Sequence, residues 1–81
     1  MKIYVTQNDI DTGIKRSYDS CPVALAVSRV VNRGKSFVGK RIIVPYVAGR
    51  HIDTPESVSK FVDDFDFDRP VSPFIFELKL N

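Results

Sequence analysis

The chain has 81 residues, with 12 Lys+Arg against 10 Asp+Glu, one His, one Cys and no Trp, a length that fits one domain spanning residues 1–81. At 43% hydrophobic and 27% charged it is composed like a folded globular protein, not a disordered one. No apolar run approaches the roughly 20 residues of a membrane span, residues 1–8 turn polar too soon for a signal peptide, and one Cys with one His excludes an internal disulfide and a Cys/His zinc site within one chain. The expectation is a soluble, cytoplasmic protein. Its net charge of +2 hides a division. Residues 1–52 carry nine Lys/Arg and three acids (+6), whereas residues 53–81 carry three bases and seven acids (−4). Such a split marks a polar partner surface or, where the halves interleave, mutual neutralisation, and the second is the expectation.

In chain order, residues 2–6 alternate, with Ile3 and Val5 on one face and Lys2, Tyr4 and Thr6 on the other, as a half-buried strand does. Thr6 and Asp9 have the spacing of a capping box, predicting one turn of helix over residues 7–12 that Gly13 closes. Pro22 suits the first position of a second helix with Ser20 or Cys21 as N-cap. In that helix Val23, Val27, Val30 and Val31 form an apolar stripe that Ala24, Leu25 and Ala26 widen. Arg29 and Arg33 suit its C-terminal end and Gly34 its stop. Residues 36–46 are rich in β-branched and aromatic side chains and read as one strand bent at Gly39, with residues 47–52 as a short returning strand.

Thr54-Pro55-Glu56 predicts a third helix, with Thr54 as N-cap and Pro55 at the first position. Its apolar face is Val58, Phe61, Val62 and Phe65. Pro70 and Pro73 end it, and residues 74–80 alternate again, with Phe74, Phe76 and Leu78 opposite Ile75, Glu77 and Lys79. The resulting β-α-β-β-α-β order predicts an α+β fold: a small, mostly antiparallel sheet with two helices packed on one face. A ferredoxin-like arrangement is compatible with that order. Phe61, Phe65, Phe74 and Phe76 are expected to form the aromatic heart of the core. Phe67 falls outside both patterns and is the candidate surface anchor.

Three segments, Val5-Thr6-Gln7-Asn8-Asp9-Ile10-Asp11-Thr12-Gly13, Cys21-Pro22-Val23-Ala24-Leu25-Ala26, and residues 61–66 running on to 70–78, together resemble a group of small uncharacterised proteins recurring in tailed-phage genomes. Relatives in that group carry a second cysteine three positions before the Cys-Pro pair, where this chain has Tyr18. The resemblance implies a phage or prophage origin and the host cytoplasm, and no activity.

Two sets of candidate residues emerge. The acids Asp64, Asp66 and Asp68 around Phe67 form a patch suited to docking on a protein; they lack the glycine and the closing Glu of a calcium loop, and Asp63 and Asp64 are expected on the wet face of their helix. The rival set is basic. Lys15, Arg16 and Ser20 lie where the second helix starts, a place that favours anions. Arg33, Lys35, Lys40, Arg41 and Arg50 surround the central strands, with Phe37, Tyr46 and Tyr4 as stacking partners for a nucleotide or single-stranded nucleic acid. The same basic residues also serve to keep strand edges from pairing. Cys21 at a helix start has the position of an activated thiol, but only His51 is available as a base, and a Cys opening an apolar helix is more often a small core residue. No catalytic set, metal site or cofactor is implied. The function expected is non-enzymatic recognition of a host protein by a homodimer, with nucleotide or nucleic-acid binding as the alternative.

Overall fold

A computed structural model of the chain describes residues 2–31, 36–39, 41–43 and 51–78. The elements run β1 (Lys2–Val5), α1 (Gln7–Thr12), α2 (Pro22–Val31), β2 (Phe37–Val38), β3 (Arg41–Ile43), β4 (His51–Asp53), α3 (Glu56–Asp66) and β5 (Phe74–Glu77). The fold is α+β. Among the described residues the strands form two antiparallel sheets rather than one: a ribbon of β1 with β5, and a three-stranded sheet in the order β2-β3-β4. That division departs from the single sheet of a ferredoxin-like arrangement.

The first half of the chain folds as its local chemistry dictates. Thr6 and Asp9 complete the capping box of α1: the Asp9 N–H donates to Thr6 Oγ1 at 3.2 Å, and the Thr6 N–H donates to Asp9 Oδ2 at 2.9 Å. Gly13 closes α1 without a left-handed turn, since its φ is −66°. A side chain is excluded there for another reason: a Cβ would lie 2.6 Å from Pro22 Cδ and 2.8 Å from the Asp9 carbonyl oxygen. Gly13 is thus the point of close approach between α1 and the start of α2.

Cys21, not Ser20, caps α2, its sulfur accepting the Ala24 N–H at 3.4 Å. The buried stripe of α2 is Val23, Ala24, Ala26 and Val27, while Val30, expected on it, is 43% exposed. Arg33 and Gly34 lie outside the described residues.

Two expectations are corrected in the middle of the chain. Residues 36–46 do not make one bent strand. Gly39 follows β2 in a bend, and β3 returns antiparallel to it, pairing Phe37 with Ile43 and Val38 with Ile42. A run rich in β-branched and aromatic residues reads the same whether or not it doubles back, and the reversal follows Gly39. The returning β4 pairs with β3 in the register Ile42 to Ile52. In addition, α3 begins at Glu56 with Pro55 as its N-cap and no side-chain capping bond. Thr54, expected to cap it, instead donates its hydroxyl to the Gly39 carbonyl at 2.6 Å, tying the head of α3 to the β2–β3 turn.

The core gathers Ile3 and Val5 from β1, the α2 stripe with Cys21, Val38 and Ile42 from the three-stranded sheet, Val58, Phe61 and Phe65 from α3, and Phe76 and Leu78 from the C-terminal end. Phe74 is half-buried against it. The expected aromatic heart is present: ring centroids lie 6.4 Å apart for Phe61–Phe65, 4.7 Å for Phe61–Phe74 and 5.8 Å for Phe74–Phe76, within the range of favourable aromatic pairs. Among the described residues no helix is long and apolar enough to cross a membrane.

Candidate functional site

The C-terminal end of α3 turns through a full Schellman motif. The Arg69 N–H donates to the Asp64 carbonyl at 2.7 Å, and the Asp68 N–H donates to the Phe65 carbonyl at 3.3 Å, the two bonds that define this cap. The position that needs a left-handed backbone is usually glycine; here it is Asp68, with φ 61°. This turn lifts Phe67 off the helix and into solvent, 63% exposed.

A second loop meets this turn. Residues 13–20 close on themselves through the Ile14 N–H on the Ser20 carbonyl at 2.8 Å and are held to β2 by the Val38 N–H on the Tyr18 carbonyl, also at 2.8 Å. At their tip Arg16 is left-handed, φ 58°, and its N–H donates to Asp66 Oδ1 at 2.9 Å. Beside it the Lys15 ammonium pairs with the Asp68 carboxylate. Among the described residues, the non-glycine residues with positive φ are Arg16 and Asp68, and both belong to this junction, one through the bond to Asp66 and the other through the pair with Lys15. Strain of this kind tends to concentrate at sites where function fixes the backbone.

The guanidinium of Arg16 stands 5.8 Å from the centre of the Phe67 ring and that of Arg69 stands 5.5 Å from it, each within cation–π range. Arg69 is fixed in turn, its Nε donating to Asp64 Oδ1 at 2.8 Å while Lys60 donates to Asp64 Oδ2 at 3.0 Å. The Lys60 ammonium first, with Arg69 behind it, holds the Asp64 carboxyl below its ordinary range. Asp64 is thus not simply on a wet face; it is a clamp between two cations, whereas Asp63 is exposed. A surface cleft of about 580 Å³ opens beside Arg16. Tyr18, Val38, Val62, Asp63 and Asp66 are among its walls.

The structure brings together residues that the sequence had divided between two rival sites. Lys15 and Arg16, assigned to an anion site at the start of α2, instead meet Asp66, Asp68 and Phe67 of the acidic patch. The Lys15–Asp68 pair joins the basic part of the chain to the acidic part, whereas Arg29–Asp9, Lys60–Asp64 and Arg69–Asp64 each pair within one part. Ser20 is engaged inside its own loop, its N–H on Ser17 Oγ at 3.2 Å and its hydroxyl on Asp19 at 3.2 Å. The first turn of α2 is packed away, with Cys21 1%, Val23 0% and Ala24 0% exposed. Burial pushes the Cys21 thiol up, which fits a core residue and not a nucleophile. Arg33, Lys35, Lys40, Tyr46 and Arg50 lie outside the described residues, as does the side chain of Arg41. Phe37 is 43% exposed on β2, while Tyr4 belongs to the other sheet.

Arg69 is the site residue that sequence reasoning missed. Its place two residues after the anchor Phe67 was the available signal. Among the described residues no group of three or more His, Cys, Asp or Glu is placed to hold a metal ion. Comparisons with family models, curated proteins and solved structures find no match to this chain.

Proposed function

We propose that this chain is a non-enzymatic binding protein that recognises another protein through Phe67 and the two guanidiniums beside its ring. In the phage setting that the sequence resemblance implies, the partner is a host protein in the host cytoplasm, blocked by occlusion. The observation that carries the reading is an exposed aromatic ring with two guanidiniums within cation–π range, that of Arg69 anchored on Asp64 and that of Arg16 carried by a loop whose backbone is bonded to Asp66. Aromatic and arginine side chains dominate the energetics of protein interfaces, and groups already held in place lose little further freedom on binding. Charge balance favours a protein over a polyanion. Around Phe67, Lys15, Arg16, Lys60 and Arg69 are matched by Asp63, Asp64, Asp66 and Asp68, which leaves this patch, among the described residues, without the basic surplus that phosphate backbones require.

The test is affinity capture from host lysate with nuclease present, comparing the wild type with Phe67→Ala. The expected result is a protein partner retained after nuclease treatment and lost with Phe67→Ala, although that variant melts like the wild type. Capture abolished by nuclease, or undiminished in Phe67→Ala, overturns the reading.

A further inference from the structure

The outer face of the β1–β5 ribbon lies apart from the Phe67 site. Along β1, Ile3 and Val5 point into the core while Lys2 and Tyr4 point outward; along β5, Phe76 points inward while Ile75 and Glu77 point outward. The antiparallel register sets Tyr4 opposite Ile75 and Lys2 opposite Glu77. Tyr4 is 52% exposed and Ile75 57%, and an apolar depression of about 550 Å³ adjoins them, with Pro73 and Phe74 among its walls. The inner face of this ribbon packs on the core, and its outer face turns an aromatic–aliphatic pair to solvent, the kind of face on which a second sheet stacks at about 10 Å.

The arrangement of those four side chains says what the other half is. Each row of the face sets a residue of β1 beside its complement on β5: cation beside anion, aromatic beside aliphatic. A two-fold axis parallel to the strands and midway between them exchanges the two columns at constant height. β1 of one copy then lies over β5 of the other. Lys2 faces the second copy's Glu77, Tyr4 faces the second copy's Ile75, and each contact occurs twice, as an isologous interface requires. We propose that the outer β1–β5 face is a homodimer interface in which two copies stack their ribbons about this axis. The face centres on four outward side chains, where a standard interface uses about 20–30 residues a side, so the dimer is weak and concentration-dependent.

The experiment is sedimentation velocity over a concentration series, with melting temperature as the check on folding. The wild type should pass from monomer at low micromolar to dimer near millimolar concentration. Lys2→Glu makes an all-acidic face and Glu77→Lys an all-basic one. Each alone should weaken dimerisation by more than about tenfold, and an equimolar mixture of the two should associate again. The double variant Lys2→Glu/Glu77→Lys keeps an opposite-charge pair within each chain, so it tests the idea even where a single reversal unfolds the ribbon. It should dimerise with itself and not with the wild type. A wild type that stays monomeric at millimolar concentration, association unaffected by either reversal, or free mixing of the double variant with the wild type overturns the proposal.

Discussion

Asp9 is 2% exposed and still ionised, because its oxygens are used on every side. Oδ1 accepts Arg29 Nη1 at 2.7 Å, and Oδ2 accepts Arg29 Nη2 at 3.0 Å and the Thr6 N–H at 2.9 Å. Burial alone pushes this carboxyl up, but the bonds from Arg29 and then Thr6 outweigh it and hold its pKa below the ordinary 3.8. The sign follows from that direction. A folded chain that binds this proton more weakly than the unfolded chain gains stability above the unfolded pKa and loses it as pH falls through the folded one. Asp9→Asn keeps the shape and removes the charge. At neutral pH it should lower stability by about 1–2 kcal/mol, less than a fully buried pair because the Arg29 side chain is 49% exposed. Urea midpoints should show the wild-type advantage shrinking as pH falls through and below the ordinary carboxylate range. A gap that stays constant to low pH would mean that the carboxylate's charge contributes nothing. The Thr6–Asp9 spacing made the cap legible in the sequence; the Arg29 partner, 20 residues away, left no local signature.

At the scale of elements, the C-terminal turn of α3 isolates a backbone effect from a charge effect. Asp68 is left-handed and also pairs with Lys15. Asp68→Gly and Asp68→Ala both delete the carboxylate, but only Ala keeps a Cβ in the left-handed region. Asp68→Gly should therefore be the more stable of the two by about 1 kcal/mol in chemical denaturation. Equal stability would show that the turn relaxes out of the Schellman geometry. Elements whose ends carry chemical signals were legible in the sequence: the capping box of α1, the proline at the start of α2, and the strict alternation of β1 and β5. The hairpin of β2 and β3 was not, because turn chemistry there rests on Gly39 alone and both arms are rich in residues that suit one continuous strand. Thr54 was misassigned for a related reason. Its hydroxyl had a tertiary acceptor, the Gly39 carbonyl, that local spacing cannot reveal. The candidate site was half legible: Phe67 stood out as the aromatic that fits neither the α3 stripe nor the β5 face, while its meeting with Arg16 depends on a contact between distant segments.

For the whole molecule, the division of labour among the phenylalanines decides what each substitution does. Phe61 and Phe76 are 8% and 6% exposed and join α3 to the β1–β5 ribbon through Phe74. Truncating either to Ala leaves a cavity that neighbours on separate elements cannot all close, at a cost of about 3–5 kcal/mol. A domain of 81 residues has about 4–12 kcal/mol of stability in total, so either variant should be largely unfolded or melt far below the wild type. Phe67 is 63% exposed, and its contacts with Arg16 and Arg69 together contribute about 1 kcal/mol at an exposed position. Phe67→Ala should therefore move the melting temperature by only a few degrees while abolishing partner capture. Thermal unfolding by circular dichroism, run in parallel with the capture assay, distinguishes the two roles. If Phe67→Ala unfolded the chain while Phe76→Ala left it intact, then the packing of α3 against the ribbon and the assignment of Phe67 to the surface would both be wrong.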